Sequence, residues 1–204
     1  SETVKIADTT ARLTLDAGTV QPWSAEIPAL YDVLVTLSEP GGRKIEAIPL
    51  HTGFREVKIE GGQLLVNGQP VLIKGANRHE MDPDGGYVVS EERMIEDIRI
   101  LKENNFNAVR TCHYPDDARW YALCDRYGLY LVAEANLESH GMGYDEKTLA
   151  KNPAYAQAHL ERNIRNVRRN INHPSVIIWS LGNEAGDGPN FDACYDWVKA
   201  YDPS

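Results

Sequence analysis

The chain has 204 residues, 30 acidic and 21 basic side chains for a net charge of −9, and 42% hydrophobic residues. With 16 Gly, 11 Pro and 3 Cys it is not collagen-like, disordered or a disulfide scaffold. The acidic excess argues against nucleic acid or an anionic membrane as partner. The longest apolar run, Val176 to Leu181, is about a third of the ~20 residues that span a bilayer.

Up to about residue 70 the pattern is β. Tyr31, Val33, Val35 and Leu37 alternate along one strand, Ser38 to Gly42 form a turn cluster, and an extended stretch runs on toward Ile48. Val57 and Ile59 alternate with charged neighbours. Asn67-Gly68 lies between two apolar runs, a hairpin signal because both residues tolerate positive φ. Four or five short strands with Gly/Pro turns are fewer than the ~7 of a complete immunoglobulin-like sandwich. The opening reads as the C-terminal remnant of one, assigned to residues 1–60.

From Val71 the pattern becomes a βα alternation, assigned to residues 61–204. Strand Val71 to Gly75 is followed by a helix capped by Ser90, with Glu91 and Glu92 in its first turn and Met94, Ile98 and Leu101 on its apolar face. Asn107 to Val109 is the second strand. A helix after Pro115 shows Trp120, Leu123, Cys124 and Tyr127 at helical spacing and ends at Gly128. Leu129 to Ala133 is the third strand. Asn152-Pro153 opens a long helix with Leu160, Ile164, Val167 and Ile171 on one face. Val176 to Trp179 is the fourth strand, and Asn190 caps a last helix carrying Cys194 and Val198. Apolar strands alternating with amphipathic helices make a parallel sheet. Four units are half of a (β/α)8 TIM barrel, which takes ~250 residues; a doubly wound sheet is the alternative. The cysteines are far apart, so neither a zinc ribbon nor a disulfide framework is expected. Ser1-Glu2-Thr3 does not read as a signal peptide, which leaves cytoplasm and periplasm both open, the former favoured.

Polar residues gather after each strand: Asn77 to Glu80, Arg110 to Tyr114, Glu134 to His140, and Asn183-Glu184. In parallel α/β folds these C-terminal strand ends form the active face. Glu138 and His140, two apart on an extended segment, point the same way. They are either half of an oxygen/nitrogen site for a hard ion such as Mg²⁺ or an exposed loop pair. His79 and His113 on adjacent strand ends read as a pair rather than as two isolated structural histidines. Glu184 lies in Gly182-Asn183-Glu184-Ala185-Gly186, where glycines let the carboxylate protrude beside apolar surface, a setting for general-acid use. Trp179 is read as core, and Arg162, Arg165, Arg168 and Arg169 as a solvated outer stripe.

These segments resemble glycoside hydrolase family 2, most closely its β-galactosidases. The resemblance rests on Gly75 to Glu80, Asn104 to Arg110, His113-Tyr114-Pro115, Leu123 to Tyr130, Glu134-Ala135-Asn136, Glu138 to Gly141, and Asn172 through Glu184. It covers residues 70 to 204, and residues 25 to 58 resemble the end of the preceding sandwich domain. It implies hydrolysis of terminal β-D-galactosyl residues with retention, and a homo-oligomeric full-length enzyme. Glu184 matches the acid/base, Asn183 the partner of the sugar 2-hydroxyl, and Glu138, His140 and Glu184 the ligands of a Mg²⁺. His79 and His113 match subsite histidines. The loop Met81 to Gly86 departs from the family's histidine-rich pattern and flanks the sugar pocket. A retaining enzyme needs two carboxyl groups about 5–5.5 Å apart, and no glutamate here matches the nucleophile's motif. The expectation is a piece of a longer enzyme, inactive and prone to self-association by itself. Alternatives are a β-glucuronidase, a β-mannosidase, or a carbohydrate-binding module without turnover.

Overall fold

A computed structural model describes residues 10–203. Strands β1 (Tyr31–Ser38) and β2 (Lys44–Thr52) form an antiparallel hairpin, and β3 (Val57–Glu60), β4 (Gln63–Val66) and β5 (Gln69–Pro70) a second small antiparallel sheet. Asn67 and Gly68 make the tight turn between β4 and β5 with φ of 51° and 75°, as their chemistry predicts.

Next come β6 (Gly75–Arg78), α1 (Glu91–Glu103), β7 (Ala108–Thr111), α2 (Ala118–Tyr127), β8 (Tyr130–Glu134), α3 (Ala156–Asn170), β9 (Val176–Ser180) and α4 (Pro189–Tyr201). The sheet order is β6-β7-β8-β9 and every pair is parallel. This is the first part of a TIM barrel, as the alternation predicts, and no helix among the described residues is long and apolar enough to cross a membrane.

The first barrel strand starts later than its apolar run suggests. Val71-Leu72-Ile73 has strand-like composition, yet Leu72 is 74% exposed and pairing begins only at Gly75. Asn107 takes the place of ladder bonds there: its Oδ1 accepts from the Lys74 N–H (2.8 Å) and its Nδ2 donates to the Leu72 carbonyl (3.0 Å).

Helix α1 starts where expected, with the Ser90 hydroxyl accepting from the Arg93 N–H at 3.2 Å, and buries Met94 and Ile98. Helix α2 ends at Gly128 with φ 78°, and a Cβ there would stand 2.3 Å from the Ala25 carbonyl oxygen. Only glycine satisfies both the left-handed backbone and that approach. Helix α3 overturns the predicted apolar face. Of Leu160, Ile164, Val167 and Ile171 only Val167 is fully buried, while His159, Asn163, Asn166 and Asn170 are. The reason is hydrogen bonding: Asn166 donates to the Ala133 carbonyl (3.2 Å) and Asn163 to the Leu181 carbonyl (3.3 Å). These amides pair with peptide groups at the ends of β8 and β9, which a leucine face could not do. At α4 the N-cap is Gly188 rather than Asn190; Asn190 is the second residue of the helix and donates to the Leu149 and Asn152 carbonyls, both at 2.9 Å. The arginine stripe is exposed at all four positions, as expected, and also makes contacts. Arg162 donates to the Asn136 carbonyl and Arg169 to that of Asp116, and Arg168 lies over the Trp197 and Tyr201 rings.

The N-terminal ends of the strands are plugged by Trp23, which is fully buried, packs edge-on against Tyr130 at 5.9 Å, and donates from Nε1 to the Asp125 carbonyl at 2.8 Å. Arg55 donates to the Pro174 and Val176 carbonyls, so the β segment is tied to the barrel sheet. On the helix side, Arg78 is 3.9 Å above the Trp120 ring and ion-pairs with Asp116 (2.7 Å), Asp97 (3.0 Å) and Glu80 (3.7 Å).

Asp116 is fully buried, and burial raises its carboxyl from 3.8 to about 7 against the pull of a guanidinium shared with two other carboxylates. Between the two values the folded state holds a proton that the unfolded chain has released. This group's contribution to stability therefore falls as pH rises through that window. Asp116→Asn should gain in Tm on wild type between about pH 5 and about pH 8. A variant that loses ground over the same range would show instead that Arg78 stabilises the ionised carboxylate.

Candidate active site

Side chains alternate across each strand. Val109, Leu131, Ala133 and, beyond the register shift in the β8–β9 pairing, Trp179 pack beneath the helices with Met94, Ile98 and Trp120. Asn77, Arg110, Glu134 and Ser180 therefore project to the opposite face, at the C-terminal strand ends.

Glu134 is the fixed point of that face. It has no exposed surface, and four contacts satisfy its carboxylate: Arg110 Nε (2.7 Å) and Nη2 (3.0 Å), the Ser180 hydroxyl (2.6 Å) and His113 Nδ1 (2.9 Å). The carboxylate only accepts, and its 2.9 Å contact is closer than the 3.3 Å approach of Arg110 Nη2 to the same nitrogen, which favours the proton on Nδ1 of His113 and the lone pair on Nε2 of the neutral ring. Arg110 Nη2 also donates to Asn183 Oδ1 at 2.8 Å, and Nη1 to Asn77 Oδ1 at 3.3 Å. One guanidinium thus touches residues from β6, β8 and the loop after β9.

The predicted residues are brought to this face. His79 and His113 meet edge to face, with ring centroids 5.2 Å apart. Glu138 and Asn183 pair as a parallel bridge, with Asn183 Nδ2 3.3 Å from Glu138 Oε1. His140 Nδ1 lies 3.5 Å from Glu138 and 3.7 Å from Glu184, so one imidazole and two carboxylates converge. Oxygen and imidazole donors suit a hard divalent ion in kind, but octahedral Mg²⁺ spaces neighbouring donors by about 3 Å, and here the two carboxylates stand more than 4.8 Å apart, so they must swing inward to share one ion.

Glycine sets up the loop after β9, because a Cβ at Gly182 would stand 2.7 Å from the Leu137 carbonyl oxygen. Glu184 then adopts φ 41°, a left-handed conformation rare for a side-chain-bearing residue. Its carboxylate protrudes as expected, but polar groups flank it rather than apolar surface. The Tyr144 hydroxyl donates to it at 3.1 Å, and desolvation, with this carboxylate, holds that hydroxyl above its usual range. Trp179 is core, its Nε1 bonded to Asp202. The Met81 to Gly86 loop is a closed turn: Asp82 accepts from the N–H groups of Asp84 and Gly85 and from Arg93, which hold its carboxyl below the usual range. A cavity of about 520 Å³ is lined by Tyr114, Asn136 and three arginines of α3 and contains none of the six predicted site residues.

Sequence reasoning placed Arg110 and Glu134 at the strand-end face without giving them a role, and missed Ser180 and Tyr144. A signal existed for the first two. Arg110 aligns with Val132, and Glu134 is two residues further along the same face, so the opposite charges sit diagonally on adjacent strands.

Comparison with known proteins gives consistent answers. Residues 57–204 match the family model for glycosyl hydrolases family 2, TIM barrel domain, and residues 1–55 the model for glycosyl hydrolases family 2. A β-galactosidase of Alteromonas mediterranea is 51% identical over 191 residues, which are 94% of this chain and 18% of that protein. A Ruminococcus gnavus β-glucuronidase in complex with D-glucuronic acid superposes with a TM-score of 0.78 at 28% identity, over 90% of this chain and 31% of that one. A Dictyoglomus thermophilum β-D-glucuronidase gives 0.78 at 30%, over 90% and 33%. The chain thus spans less than a third of most of these relatives' length and is shaped as they are where it overlaps. It belongs to glycosyl hydrolases family 2, and its parallel sheet is the first part of that family's TIM barrel.

Proposed function

We propose that this chain forms the acid/base side of the active site of a retaining β-galactosidase. The observation that carries the reading is the convergence of Glu184, Asn183, His113 and His79 around the Arg110–Glu134 pair, in a chain 51% identical to a β-galactosidase. Glu184 protonates the departing glycosidic oxygen as its bond to the anomeric carbon breaks, then removes a proton from the water that releases the sugar. Its half-exposed position lets it exchange that proton with solvent.

Asn183 has its oxygen fixed by Arg110 and one N–H directed at Glu138, which leaves the second N–H for the sugar 2-hydroxyl. His113 offers its Nε2 lone pair to another hydroxyl, and His79 lies beside it. Glu138, His140 and Glu184 are the residues that would hold Mg²⁺, which would supply positive charge to the site. The nucleophile is contributed by another part of the barrel. Glu134 is fully buried with both oxygens engaged, and both oxygens of Glu80 accept from the Asp117 N–H. The shape match to β-glucuronidases supports a second reading, in which the same machinery acts on a β-glucuronide.

Matched aryl β-galactoside, β-glucuronide and β-mannoside substrates, assayed with the full-length enzyme, decide between them. Galactoside turnover is expected to dominate and to fall roughly 10²–10⁴-fold in Glu184→Gln. Preference for the glucuronide would keep the mechanism and replace the sugar. Undiminished turnover in the variant would remove Glu184 from its role, and turnover by the 204-residue chain alone would refute the assignment of the nucleophile elsewhere.

In a separate titration, Glu138→Gln should raise the Mg²⁺ concentration for half-maximal activity at least about tenfold. An unchanged requirement would place the ion elsewhere.

A further inference from the structure

Among the described residues, one set of three metal-ligating side chains brings a donor atom from each within 4.8 Å of the others: His79, Cys112 and His113. It is separate from the Glu138, His140 and Glu184 set and chemically unlike it. Two imidazoles and a thiol are borderline-to-soft donors, matched to Zn²⁺ and poorly matched to Mg²⁺. Zinc at ~2.3 Å from sulfur and ~2.05 Å from nitrogen spaces its ligands by about 3.5 Å, so the side chains need to close by roughly an ångström. His79 is exposed and gives an ion a way in, while Cys112 is 1% exposed and forms the floor.

The surroundings already suit a metal. Glu134 Oε1 lies 2.9 Å from His113 Nδ1, the carboxylate–histidine arrangement that orients a ligating imidazole and makes Nε2 the lone-pair nitrogen. Glu134 is in turn held by Arg110 and Ser180, so the ring does not have to be ordered on binding. Three protein ligands would leave a fourth tetrahedral position open.

We infer that His79, Cys112 and His113 bind a zinc-like divalent cation at the strand-end face, and that this ion and the sugar exclude each other. The binding half stands on the donor set alone; the exclusion half rests on the proposed function, in which the same two histidines line the sugar subsite. Zinc binds the thiolate, so binding displaces the thiol proton to solvent.

The test uses the full-length enzyme and Co²⁺ as a spectroscopic substitute for Zn²⁺, with Mg²⁺ present throughout. A thiolate-to-cobalt absorption band is expected in wild type and absent in Cys112→Ser and Cys112→Ala, whose basal turnover stays near wild type. Zn²⁺ inhibition of turnover should weaken roughly tenfold or more in both variants. Equal cobalt spectra, or equal zinc inhibition, in wild type and variants would overturn the site. With the band established, added galactose should displace the ion. A band that persists under saturating sugar would leave the metal site standing and overturn the mutual exclusion.

Discussion

The buried pair of Arg110 and Glu134 is the constraint on which the rest of the face depends. A carboxylate with no exposed surface is tolerated only if its charge and lone pairs are matched. Here a bidentate guanidinium, a hydroxyl and an imidazole do so together. Removing one partner of such a pair costs about 3–5 kcal/mol, since it leaves the other buried and uncompensated. The same contacts set the tautomer of His113 and the amide orientation of Asn183, so the geometry offered to a ligand is fixed before it arrives. A lysine at 110 would carry the charge but not the fork that reaches Glu134 and Asn183 at once.

Two supports hold this pair at a common height. At the N-terminal strand ends, Trp23 and Arg55 tie the β segment to the sheet through the Asp125, Pro174 and Val176 carbonyls. At the C-terminal ends, Asn163 and Asn166 of α3 bind the Leu181 and Ala133 carbonyls. Ala133 immediately precedes Glu134, and Leu181 lies two residues before Asn183. A polar helix face therefore does work usually given to leucines: it fixes the backbone from which the site residues project.

Much of this was legible in the sequence because local chemistry and tertiary outcome agree. Ser90, Gly128 and Asn67-Gly68 each do what an isolated segment would ask of them. The six proposed site residues could be placed on one face because strand ends converge in any parallel βα fold, whatever its details. What stayed hidden depends on partners distant in sequence. Leu72 and Ile73 have strand composition, but the pairing that would make them a strand is taken up by the Asn107 side chain. The asparagines of α3 read as solvent-facing until the carbonyls they bind are known. Arg110 and Glu134 look like two ordinary charges until the register puts them on one face. Cys112 reads as one of three scattered cysteines, and only the meeting of β6 and β7 brings it together with two imidazoles.

The central claim is that the strand-end face around Arg110 and Glu134 receives a galactosyl group with Glu184 positioned to protonate its glycosidic oxygen. A crystal structure of the full-length enzyme with Mg²⁺ and a non-hydrolysable galactose-configured ligand tests it most directly. The account predicts the sugar 2-hydroxyl within hydrogen-bond distance of Asn183 Nδ2, the Glu184 carboxyl against the glycosidic oxygen, and the ring between Asn183 and the His79–His113 pair. A ligand seated in another cleft, with Asn183 and Glu184 left to solvent, would contradict it.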